Sequence, residues 1–62
     1  MFIVIDICRG VVGAVYKVDD KEKAIEYRDE IDDDYKEAGE ESDSFAVVYQ
    51  DSGNERMTLI DE

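Results

Sequence analysis

Three short apolar runs and one long charged segment divide the chain. Residues 2–8 place Ile3, Ile5 and Ile7 on one side of an extended segment and Phe2, Val4, Asp6 and Cys8 on the other. That two-residue period predicts a β-strand. Residues 11–18 read as a second strand, with Val12, Ala14, Tyr16 and Val18 on one side. Arg9-Gly10 between them suits a tight turn, because glycine accepts the positive φ such turns need. The two strands are therefore expected to form a hairpin, with Gly13 marking a bulge or a close backbone approach.

The pattern then turns helical. Asp19 is placed as an N-cap, and Glu22 three positions later gives a capping-box pattern. Gly39 is placed to end the helix as C′, so the helix is predicted from about Asp20 to Ala38. Ala24, Tyr27, Ile31, Tyr35 and Ala38 form its apolar stripe, with Ile25 at the flank and both tyrosines expected in the core. A polar linker, residues 40–44, leads to a third strand from Phe45 to Tyr49. Asp51-Ser52-Gly53-Asn54 reads as a turn and Arg56 to Ile60 as a fourth strand. The order ββαββ predicts an α+β fold: a four-stranded antiparallel sheet with one helix packed on one face. Several strands are apolar on both sides, and one helix covers only one face. The uncovered face is expected to meet a partner or a second copy, with a register that leaves these residues merely half-buried as the alternative.

The other side of the helix changes the picture. Glu22, Glu26, Asp29, Asp33, Glu37 and Glu40 follow at spacings of 4, 3, 4, 4 and 3, which keeps all six on one side. Like charges so spaced cost a helix roughly 0.2–0.5 kcal/mol per pair. A single domain of 62 residues has little stability to lose. The stripe is thus expected to be a working surface for a basic partner. Asp32 and Asp34 would widen it and Glu40, Glu41 and Asp43 would extend it, while Arg28–Asp32 and Asp32–Lys36 pairs relieve part of the repulsion.

Net charge is −11, and residues 19–44 carry −9 of it, against +1 for residues 1–18 and −3 for residues 45–62. So polarised an anion is repelled by nucleic acid and by anionic membranes, so neither is an expected direct partner. No run reaches the 18 or so apolar residues of a membrane span. The start lacks the basic n-region of a signal peptide, and Asp6 and Arg9 interrupt its apolar run. A lone cysteine agrees with a reducing compartment, and a cytoplasmic protein is the expectation.

The residues do not assemble into catalytic chemistry. Cys8 has no histidine to serve as base, since the chain contains none, and Arg9 is the only adjacent cation. Carboxylates are plentiful, but acid–base work needs two in different environments within a pocket. Asp32-Asp33-Asp34 point about 100° apart on a helix and cannot share one ion, and the calcium-loop spacing fails at Lys36 with no glycine after it. Gly10 and Gly13 lie in a hairpin, not between a strand and a helix start, so no phosphate loop is present. No catalytic residue, metal or cofactor is expected, and the chain is read as non-enzymatic.

An array of carboxylates has another use. Groups at i and i+4 stand about 6 Å apart, of the same order as successive phosphates on a nucleic-acid strand. Such an array can occupy a basic groove and exploit the counterion release that drives nucleic-acid binding. In size, acidity and lack of catalytic residues the chain resembles the small inhibitors that phages use against host defences, anti-restriction and anti-CRISPR proteins among them, some of which mimic DNA. The resemblance is compositional, covers the whole chain and rests on no motif. It implies an inhibitor binding a basic groove of a nuclease or CRISPR effector in the host cytoplasm. Two alternatives stand beside it. One is a small dimeric interaction or regulatory module using its sheet face, with Phe2, Tyr16, Phe45 or Tyr49 as its energetic centre. The other is a salt-adapted haloarchaeal protein, against which the acids concentrate on one element and Lys outnumbers Arg.

Overall fold

The computed structural model describes residues 1–53 and 56–60. Strand β1 (Phe2–Cys8) and strand β2 (Val11–Val18) form a hairpin, followed by helix α1 (Lys21–Glu37) and strands β3 (Phe45–Asp51) and β4 (Met57–Ile60). The sheet order is β2-β1-β3-β4, with every neighbouring pair antiparallel and the helix packed against one face. This is the predicted α+β architecture.

The hairpin turn is Arg9-Gly10, with φ of 54° at Arg9 and 78° at Gly10. Two positive φ values match the right-handed strand twist, but arginine adopts that conformation only under strain. Partners from the 40–44 linker hold it. Ser44, 1% exposed, accepts the Arg9 N–H on its Oγ at 3.1 Å, and Gly10 N–H donates to the Asp43 carbonyl at 3.0 Å.

Along β1 and β2 the register runs Phe2 to Val18, Val4 to Tyr16 and Asp6 to Ala14, then shifts so that Ile7 meets Val12 and Cys8 meets Val11. Gly13 is the extra residue of this bulge, as the sequence suggested. The bulge also corrects an expectation: Val12 leaves the side of Ala14, Tyr16 and Val18 and joins the Ile7 side, because one inserted residue inverts the alternation beyond it.

The helix starts one residue later than predicted. Asp20, not Asp19, is the N-cap and accepts the Glu22 N–H at 2.9 Å, so the Asp19–Glu22 capping box is not the arrangement formed. At the other end Ala38 caps, and Gly39 adopts φ 74° as C′. Strand β3 runs two residues past the predicted Tyr49, because Asp51 pairs with Met57 and donates its N–H to the Met1 carbonyl at 3.0 Å. Strand β4 begins at Met57, one residue after Arg56. In the turn, Gly53 N–H donates to Asp51 Oδ1 at 2.9 Å, while the predicted turn residue Asn54 lies outside the described residues.

The fully enclosed core is small: Val4, Ala24, Ala46 and Val48, with Phe2, Val18, Ile31 and Ile60 packed around it. Two alanines at the helix–sheet contact let the backbones approach closely. Tyr27 does not join this core, contrary to expectation. It is 40% exposed and rests on Tyr16 across the β2 edge, ring centroids 4.8 Å apart. Its hydroxyl pKa is raised, chiefly by desolvation and then by Tyr16. Ala38, also assigned to the apolar stripe, is exposed at the helix end.

Candidate functional site

Two polar anchors set the rotation of the helix and so decide which carboxylates face outward. Asp32 Oδ1 accepts the Ala46 N–H at 2.8 Å. Among the described residues, the pairing of β3 with β4 runs from Val48 to Asp51, and Ala46 lies outside it. Tyr35 donates its hydroxyl to Asp6 Oδ1 at 2.6 Å, tying the last helical turns to β1. That bond first, and desolvation second, hold the Tyr35 hydroxyl well above the ordinary tyrosine pKa.

With Ala24, Ile31, Asp32 and Tyr35 directed at the sheet, the opposite side carries the acidic stripe. Glu22, Glu26, Asp29, Asp33 and Glu37 are all exposed, within an arc of about 80° by the turn of an α-helix. From Glu22 to Glu37 the array spans roughly 22 Å at 1.5 Å per residue. Asp29 is the paired member: Arg28 donates to its Oδ1 through Nη2 at 3.0 Å and through Nε at 3.2 Å. The other four make no ion pair among the described residues.

Glu40, read as the sixth stripe member, is brought to a different place. It lies beyond the helix, half-buried, with its N–H donating to the Tyr35 carbonyl at 2.9 Å. Its own carbonyl accepts from Asp43 and Ser44, so it builds the turn that closes the helix. Asp32 does not widen the array, because its carboxylate is spent on the sheet. Asp34, Glu41 and Asp43 remain exposed at the margins.

The anchoring roles of Asp32 and Tyr35 escaped the sequence reading. A signal for the second was present: Asp6 is the one carboxylate in the Phe2–Val4–Asp6 row, and a carboxylate facing a helix needs a donor from it. Cys8 is half-buried, outside any disulfide and beside Tyr35. Among the described residues no cluster of three potential metal ligands occurs, and no helix is long and apolar enough to cross a membrane. In comparisons with known proteins, no family model, curated protein or solved structure matches the chain.

Proposed function

We propose that the protein acts by binding a basic partner through the outer face of helix α1, its carboxylates standing in for nucleic-acid phosphates. The observation that carries this reading is the row Glu22, Glu26, Asp33 and Glu37: exposed, on the side of the helix away from the sheet and without ion pairs among the described residues. A fold that needed only helix formation would gain by dispersing these charges, since like-charge pairs at such spacings oppose the helix. The helix that carries the carboxylates is pinned at Asp32 and Tyr35, so its backbone is in place before binding, which lowers the entropic cost. The partner class is a nucleic-acid-binding protein with a basic groove, a nuclease or CRISPR effector being the anti-defence case that the composition suggests.

Paired affinity capture tests the reading, with the native chain as one bait and Glu26→Gln, Asp29→Asn, Asp33→Asn, Glu37→Gln as the other. Recovery of a basic nucleic-acid-binding protein by the native bait alone is expected. Equal recovery by both baits would remove the helix face from the interface.

A further inference from the structure

The face of the sheet turned away from α1 is apolar across all four strands. Its register rows are Lys17–Ile3–Tyr49–Leu59, then Val15–Ile5–Val47 and Val12–Ile7–Phe45, with Asp51 and Met57 at one end. On it Val12, Val15, Phe45, Met57 and Leu59 are each between 42% and 57% exposed. We propose that this face is a homodimer interface, two copies stacking sheet on sheet with their helices outward. The proposal stands apart from the helix-face reading and uses the opposite side of the molecule.

Charge selects a second copy as the occupant. The chain carries −11, yet among the described residues the strand rows place only Lys17 and Asp51 as charged side chains on this face, and they cancel. Two copies can meet here without opposing acids. Stacked sheets lie about 10 Å apart, and each helix sits beyond its own sheet. The acidic stripes are then separated by more than two Debye lengths of about 8 Å at physiological salt, and their repulsion is screened. A two-fold axis along the strands also lays β2 of one copy across β4 of the other and carries each Lys17 toward the partner's Asp51. Such an isologous contact closes after two copies.

The area fits a weak dimer. Four strands about 4.8 Å apart and about 20 Å long give a footprint of roughly 400 Å² per copy. Protruding side chains enlarge this, so two copies approach the roughly 1,000 Å² that a specific interface needs.

Sedimentation equilibrium from about 10 µM to about 1 mM, the range of weak association, tests the proposal on the native chain and on Val15→Lys/Leu59→Lys. Both substituted residues are more than half exposed, so the variant keeps its fold, checked by circular dichroism. Lysine also reduces the net negative charge, so lost association cannot be blamed on added repulsion. The native mass should rise from 7.1 kDa toward twice that value, at least as readily in higher salt, while the variant weakens association more than tenfold. A native chain that stays monomeric overturns the proposal and leaves the face to a different protein. Equal dimerisation of both chains overturns it by placing the contact elsewhere.

Discussion

Asp32→Ala and Asp33→Ala remove the same carboxylate one residue apart, and the fold demands opposite outcomes. Asp32 is the acceptor for the N–H of Ala46, a residue only 5% exposed. Removing that acceptor leaves a buried donor unsatisfied, at about 1–3 kcal/mol. Alanine returns roughly 0.5 kcal/mol in helix propensity. The net expectation is a loss of about 0.5–2.5 kcal/mol. Asp33 faces solvent and has acids at Asp29, Glu30 and Glu37, three or four residues away, against a single base at Lys36. Its removal gains the same propensity and relieves repulsions of roughly 0.2–0.5 kcal/mol each, so stability should rise by up to about 1 kcal/mol. The two variants should differ by about 2 kcal/mol, on the order of 10 °C in melting temperature for so small a domain. Urea unfolding followed by far-ultraviolet circular dichroism in about 0.1 M salt measures this, with equal m-values as the check on two-state behaviour. Asp32→Asn keeps an oxygen acceptor and should fall between them. An Asp32→Ala protein as stable as Asp33→Ala would refute the anchoring role of Asp32.

Other consequences follow from the same contacts. Ile31→Ala should destabilise by about 2 kcal/mol, the low end for such truncations because Ile31 is half-buried, and chemical denaturation reads it. Arg9→Asn should stabilise by about 0.5–1 kcal/mol in the same assay, since Asn tolerates the φ of 54° that arginine adopts under strain. The hydrogen bond to Asp6, and secondarily desolvation, raise the Tyr35 pKa and so favour the neutral hydroxyl in the fold. That stabilisation is complete below the ordinary tyrosine pKa of about 10 and is lost as pH climbs through the raised folded value. The melting-temperature gap between the native chain and Tyr35→Phe should therefore hold from neutral pH to about 10 and narrow above it. A constant gap to pH 11 or so would contradict the Tyr35–Asp6 bond.

Periodicity carried the topology: the alternation in residues 2–8 and 11–18, the helical spacing from Ala24 to Tyr35 and the stop at Gly39 all correspond to elements of the fold. Local rules failed where a tertiary contact outweighed them. Val12 changed face because the bulge at Gly13 inverts the alternation, and a bulge is set by the pairing of two strands, not by either strand alone. Asp20 displaced Asp19 because two adjacent aspartates offer the same cap, and the chain path out of β2 selects between them. Asp32 looked like any other acid in an acidic helix. Its partner is a backbone N–H fourteen residues away, which carries no side-chain signature. For the candidate site, five of six stripe positions follow from helical spacing, whereas Glu40 lies past a helix that ends at Glu37.

In the proposed function, the outer face of α1 binds through its charge. The most direct measurement is the dissociation constant of the captured basic partner against salt, from about 50 to 200 mM, for the native chain and the four-site neutralised variant. A steep linear fall in log affinity with log salt is expected for the native chain, and weak, nearly salt-independent binding for the variant. Equal affinity of the two chains, or native binding indifferent to salt, would contradict the proposed function.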